Sequence, residues 1–172
     1  MSGGNEAVFD VNVYSDPVLL KISGRACFSN CSPVKDFFKT MIGRGTTRFV
    51  VDFQDCVSMD STFLGILAGA GLQLMRRDPP GRLILVRLGT RNLELVRNLG
   101  LHRILVVDDG DAAQADQPFG QTRLEPGREK ASEVENARLV LRAHEDLIEV
   151  DEGNRAKFQD VISFLKNQVD DS

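Results

Sequence analysis

The sequence predicts an α/β protein: a mixed β-sheet covered by helices, ordered β-β-α-β-α-β-α-β, plus two C-terminal helices. Three observations carry the fold class. Strand-like and helix-like patterns alternate through the first 108 residues. The inner strand-like runs, "TRFVVDF" and "RLILVRL", are apolar almost without interruption, as parallel strands covered on both faces are. Turn and cap residues mark the changes of pattern.

The elements follow in order. "AVFDVNVYS" and "VLLKISG" have strand character, and Asp16-Pro17 between them favours a turn, so they read as an antiparallel hairpin ended by Gly24. "SPVKDFFKTMIGRG" predicts a helix with Ser32 at the N-cap, Pro33 at the first helical position, and Gly43 and Gly45 past its end. After the strand "TRFVVDF", residues 60–77 predict a second helix, stopped by "DPPG". "RLILVRL" is the next strand, "TRNLELVRNLG" a short helix with Thr90 as N-cap and Gly100 past its end, and "RILVVD" the last strand.

Residues 109–130 are polar and rich in Gly, Pro, Gln and Asp, the composition of a linker or long surface loop. Two amphipathic helices are predicted beyond it. The first, 132–150, groups Leu139, Val140, Ala143, Leu147 and Val150 on a broad apolar face; the second holds Phe158, Val161, Ile162, Leu165 and Val169 within one arc. Such faces require burial against each other, against the sheet or against a second subunit. The expected organisation is therefore a sheet domain over 7–108, a linker over 109–130 and a helical hairpin over 131–169.

Composition narrows the function classes. With 172 residues, 42% hydrophobic and 27% charged, the chain supports one core and a small appendage. A net charge of −4 argues against a protein built to coat nucleic acid. Charge is unevenly divided: residues 1–108 carry +3 and residues 109–172 carry −7. No apolar run approaches the roughly 20 residues of a membrane span. "MSGGNEAVFD" has neither a basic nor a hydrophobic leader region, so a cytoplasmic location is expected. Cys27, Cys31 and Cys56 read as free thiols, and the C-x3-C pair lacks the further ligands of a metal site.

The junction "VSMDSTFLGILAG", 57–69, concentrates Ser58, Asp60, Ser61 and Thr62 at the start of a helix. Two readings are open. Asp60 or Ser61 caps the helix, the commoner role of such residues. Alternatively, Ser61 presents a hydroxyl at a helix N-terminus, where a phosphate would be tolerated and would add about −1.5 to −2 charge near Asp55 and Asp60. Helical spacing places Phe63, Leu64, Leu67, Ala68, Gly71, Leu72, Leu74 and Met75 on the core side. Thr62, Gly65, Ile66, Gly69, Gln73 and Arg76 form the other face, whose small residues permit close approach by another protein.

"VVDFQDCVSMDSTFLGILAG" resembles the signature segment of the STAS domain, the family of bacterial anti-sigma factor antagonists. There a strand ends at an acidic residue, a loop follows, and an Asp-Ser-Ser/Thr-Gly-Leu-Gly stretch opens a helix. Asp55 matches the acidic position, Asp60, Ser61 and Thr62 the triplet, and Leu64 and Gly65 the closing pair. Phe63 stands where the family usually has glycine. The resemblance spans about residues 7–108 and leaves the two C-terminal helices outside it.

The resemblance implies a partner-switching regulator that is a substrate and not an enzyme. The unphosphorylated chain would bind a serine-kinase anti-sigma factor through Asp55, Ser58, Asp60, Ser61, Thr62, Gly65, Ile66, Gly69 and Gln73. The kinase would phosphorylate Ser61, with Thr62 as alternative acceptor, and a cognate phosphatase would reset it. A second expectation is a STAS-like scaffold or sensor whose helical tail docks another partner or forms a homodimer. Enzyme chemistry has the least support: His102 and His144 fit no triad order, "DDGD" lacks calcium-loop spacing, and no phosphate-cradling glycine loop is present. His144 falls on a polar or interfacial helix face, and His102 follows a helix end. No cofactor, metal, nucleic acid or membrane partner is expected, and the family allows nucleotide binding without a residue here to carry it.

Overall fold

The computed structural model describes residues 7–108, 122–125 and 132–171. Strands β1 (Ala7–Asn12) and β2 (Val18–Ala26) form the antiparallel hairpin, in a register running from Ala7 opposite Gly24 to Asn12 opposite Leu19. Strands β3 (Arg48–Met59), β4 (Arg82–Val86) and β5 (Val106–Asp108) add in parallel to β2. A two-residue strand β6 (Thr122–Arg123) pairs antiparallel with β1, giving the order β5-β4-β3-β2-β1-β6. The helices are α1 (Ser32–Gly43), α2 (Ser61–Met75), α3 (Thr90–Asn98), α4 (Glu133–Val150) and α5 (Asn154–Asp170). The result is the mixed sheet with helical cover and two C-terminal helices that the sequence predicts.

Several boundaries differ, each for a local reason. Strand β3 runs six residues beyond "TRFVVDF", so Asp55 and Ser58 stand on a strand and not in a loop. Irregularities in the β2–β3 ladder, between Lys21 and Ser23 and between Gly24 and Arg25, turn Gln54 and Asp55 to solvent while Cys56 and Met59 face inward. Bulged pairing re-aims side chains at a strand end, and here it disguises strand as loop. Cys31, not Ser32, is the N-cap of α1, and Gly89, not Thr90, that of α3; neither makes a side-chain capping bond. The last strand begins only at Val106, because Leu101–Arg103 form a 3-10 turn that buries Leu101. Of the predicted linker, residues 109–121 and 126–130 lie outside the described residues, and Thr122–Arg123 are strand.

The larger core lies between the sheet and its helical cover. Phe38 meets Phe49 edge-on at 5.3 Å, and Phe63 stacks on Phe9 of β1 at 6.3 Å. Phe63 is fully buried. The bulky residue at the position where the family resemblance expects glycine thus pins the first turn of α2 to the sheet and leaves Ser61 in place.

Helix α4 begins with a capping box: Ser132 Oγ accepts from the Glu135 amide at 3.1 Å, and Glu135 Oε2 accepts from the Ser132 amide at 3.0 Å. Its Leu147 is fully buried in the same core as the sheet residues. Asn154, at the start of α5, is fully buried and donates from Nδ2 to the carbonyls of Leu99 (2.9 Å) and Leu147 (2.8 Å). Asp151 pairs with Arg103 at 3.5 Å, and Lys157 Nζ donates to the Asn98 carbonyl at 2.8 Å. The helical tail is thereby tied to the end of α3 and shares the sheet's core. No helix among the described residues is long and apolar enough to cross a membrane.

Candidate functional site

The question at the β3–α2 junction is which residue caps the helix. Asp60 does. Its backbone is extended (φ −104°, ψ 175°), as an N-cap requires, and Oδ1 accepts from the Phe63 amide at 2.9 Å. Its other oxygen, Oδ2, accepts from the Phe28 amide at 2.8 Å, fastening the loop after β2 to the helix start. Ser61 is therefore the first helical residue, and its hydroxyl is not consumed by capping.

That hydroxyl meets a residue from the far end of the chain. Ser61 Oγ lies 2.9 Å from His144 Nε2 on α4. His144 Nδ1 lies 2.7 Å from the Val140 carbonyl, which can only accept, so Nδ1 carries a proton. In the neutral ring Nε2 then accepts from the Ser61 hydroxyl. The imidazole is 3% exposed and meets Phe158 of α5 edge-on at 4.8 Å. Ser61 itself is half-buried and opens onto a cleft of about 500 Å³ bounded by Met59, Leu95, Asn98, Lys157 and Phe158.

The outer face of α2 is closed, contrary to the exposure its small residues suggest. Thr62, Gly65 and Ile66 are buried, and Gly69 is half-buried. A Cβ on Gly65 would stand 2.3 Å from the carbonyl oxygen of Ala143, and one on Gly69 would stand 2.6 Å from Asp146 Oδ2. The small residues do permit close approach by a helix, but the helix is α4 of the same chain. Of that face only Gln73 and Arg76 are exposed, beside a second cleft of about 320 Å³ among α1, α2 and α4. Arg76 pairs with Glu149 of α4.

Burial leaves its mark on the titrating groups along this seam. Asp146 faces Gly69, and desolvation raises its carboxyl above the ordinary value of 3.8, against the opposing pull of Arg142 at 3.3 Å. Burial likewise pushes the Cys31 thiol up to about 12, with the Asp60 carboxylate adding to it, and the Cys56 thiol up to about 11. Neither is poised as a thiolate ligand or nucleophile. Among the described residues no group of three His, Cys, Asp or Glu could hold a metal ion.

The remaining candidates stand at the open tip. Asp55 is exposed and pairs with Lys21 at 3.2 Å, and Ser58 is half-buried opposite Arg25 in the strand ladder. Two apolar residues join them there: Val57 on β3, 65% exposed, and Phe28, 58% exposed, in the loop that Asp60 holds. Sequence reasoning assigned no role to Phe28, Val57, Lys157 or Asn154. For His144 a signal existed. At 100° per residue it falls about 40° from Val140 and about 60° from Leu147, within the apolar arc of α4, so its placement on an interface was legible and its partner was not.

A sheet with four parallel strands and an antiparallel hairpin, and a polar triplet opening the helix after the longest strand, define a STAS-type α/β domain. The chain belongs to the family described as Mlab, STAS domain, whose profile matches residues 10–107. Its fold is shared by the anti-sigma factor antagonist SpoIIAA in its unphosphorylated form, at 20% identity over 62% of this chain and 93% of that one (TM-score 0.51). It is shared by the Bacillus cell fate determinant SpoIIAA in the phosphorylated form, at 19% identity over 62% and 96% (TM-score 0.51). The tm1081 protein of Thermotoga maritima is also similar, at 16% identity over 63% and 92% (TM-score 0.52). No curated protein matches the chain.

Proposed function

We propose that this chain is a phosphorylation-switched regulator of the anti-sigma factor antagonist type, acting in the cytoplasm and switched at Ser61. One observation carries the reading: Asp60 takes the capping role, so Ser61 keeps its hydroxyl at the first position of α2. The fold shared with SpoIIAA, whose phosphorylated form is among the similar structures, supports it. On this reading the unphosphorylated chain binds a serine-kinase anti-sigma factor and is released when the kinase phosphorylates Ser61; a cognate phosphatase reverses the mark.

Because α4 covers Gly65 and Ile66, the partner docks at the tip, on Asp55, Ser58 and Ser61 with the exposed Phe28 and Val57 as apolar anchors. A phosphate on Ser61 adds about −1.5 to −2 charge between the Asp60 and Asp55 carboxylates and the partner, and desolvating it in the interface is unfavourable. The chain acts as a substrate, with Thr62 disfavoured as acceptor by its burial.

The test is phosphopeptide mapping of the protein isolated from its own cells, with co-purifying ATP-binding kinases identified in the same preparation. Phosphate on Ser61, with a kinase retained by Ser61→Ala and lost from Ser61→Asp, is the expected result. An unmodified Ser61 under every growth condition, with no kinase bound, contradicts the reading. It would favour a self-associating scaffold, for which Val161 and Phe164, both exposed on α5, supply an apolar surface.

A further inference from the structure

We propose that His144 is the general base for Ser61, so that the chain's own C-terminal helix activates the hydroxyl that is phosphorylated. The inference deepens the proposed function and rests on its reading of Ser61 as phosphoryl acceptor.

The geometry is that of an activated nucleophile. Oγ and Nε2 are 2.9 Å apart, within the reach a general base needs, and the imidazole is oriented by a third group, the Val140 carbonyl at 2.7 Å. That bond fixes the proton on Nδ1 and leaves the Nε2 lone pair on Ser61. The nucleophile stands on the first residue of a fifteen-residue helix, whose N-terminal dipole favours the charge that gathers on an incoming phosphoryl group. The cleft of about 500 Å³ gives the donor a way in, with Lys157 on its wall.

A purely structural role explains this arrangement poorly. The tail is already anchored by Leu147, by the two bonds of Asn154 and by the Asp151–Arg103 pair. An imidazole 3% exposed, in an arc otherwise made of Val140, Ala143 and Leu147, carries a desolvation cost that an apolar side chain would avoid.

The step balances without a further reagent. The Ser61 Oγ–P bond forms as the bond from phosphorus to the donor's leaving oxygen breaks. The hydroxyl proton passes to His144 Nε2, leaving an imidazolium beside the new phosphoserine. With ATP on a kinase the leaving group is ADP; with acetyl phosphate it is acetate, which departs without needing a proton.

Acetyl phosphate is the probe. The full-length chain is incubated with it, and phosphate incorporation is followed by quantitative peptide mass spectrometry at Ser61 and at Ser163, an exposed serine on α5 that serves as internal reference. We expect Ser61 to react about a hundredfold or more faster than Ser163, the lower end of what a positioned base contributes, and His144→Gln to abolish that advantage. Equal rates at the two serines in the unaltered chain overturn the proposal, as does an advantage that survives His144→Gln with α4 still protected from hydrogen exchange. The rate in deuterium oxide gives a second readout that needs no variant. Proton transfer to His144 slows the Ser61 reaction in heavy water, and equal rates in the two solvents overturn it. All three readouts are independent of any kinase, so failure of the partner-switching reading would appear in the cellular phosphopeptide map alone.

Discussion

The middle and the start of α2 behave differently. In the middle of α2, Gly65 lets the backbone of α4 come close at Ala143, and Gly69 makes room for the Asp146 carboxylate. At its start, Asp60 and Ser61 keep a polar tip half-open between strand end, loop and tail. The same family resemblance would have assigned both regions to a partner. Burial separates them: the middle is an internal seam, and the tip is where chemistry and recognition have room. Small residues on a helix face specify a close neighbour without saying whether that neighbour belongs to the same chain.

The sharpest way to break the seam is Gly65→Ala. The new Cβ would meet the Ala143 carbonyl at 2.3 Å, backbone that no rotamer change can clear. Overpacking costs about 1–3 kcal/mol and more where backbone must move, while glycine-to-alanine in a helix returns about 1 kcal/mol. A net loss of about 2 kcal/mol or more is expected in urea unfolding, with faster hydrogen exchange across residues 133–150. Asn154→Ala comes next. It takes the side-chain donor from the Leu99 carbonyl and one of two donors from the Leu147 carbonyl, which keeps the Asp151 amide, for an expected loss of about 2 kcal/mol, read from the same unfolding curves.

Asp146→Asn tests the electrostatics of the seam. Its carboxyl is raised by desolvation, so the folded state holds the proton more tightly than the unfolded chain does. Below the ordinary 3.8 both states are protonated and the group adds no pH dependence. As pH rises from there through the higher folded value, the unfolded state ionises first and wild type loses stability relative to the variant. Urea midpoints of the two proteins should converge at acid pH and separate toward neutrality in favour of Asn. A separation of the opposite sign would show that the Arg142 pair outweighs burial.

Gly69→Ala should do least. Its Cβ would meet only the terminal oxygen of Asp146, which can swing aside, and the helix-propensity gain of about 1 kcal/mol roughly offsets that shift. A stability change within about 0.5 kcal/mol is expected, against the large loss at Gly65. Equal losses at both glycines would mean that α4 packs on α2 less selectively than the structure has it.

Much of this was legible in the sequence because the signals were local. The Asp16-Pro17 turn, the apolar runs of β3 and β4 and the caps around α2 each depend on neighbours in the chain, and the arcs of α4 and α5 announce burial by their period. What was not legible was long-range. That α4 would cover Gly65 depends on a contact between residues 65 and 143, and helical spacing cannot choose among the sheet, the sister helix and a second subunit. The end of β3 was obscured differently: polar Gln54 and Asp55 read as loop because irregular pairing with β2 turns both outward. His144 combined the two problems, being visible as an interfacial residue and unassignable to Ser61 until the fold placed them together.

The contact between Ser61 and His144 is the centre of the account, and nitrogen-resolved NMR of the histidine side chains measures it most directly. His102, exposed on the 3-10 turn, is the internal reference. His144 is expected to be the Nδ1–H tautomer with Nε2 accepting a hydrogen bond, and Ser61→Ala to shift its Nε2 resonance while leaving His102 unmoved. A His144 whose signals match those of His102 and ignore Ser61→Ala would contradict it.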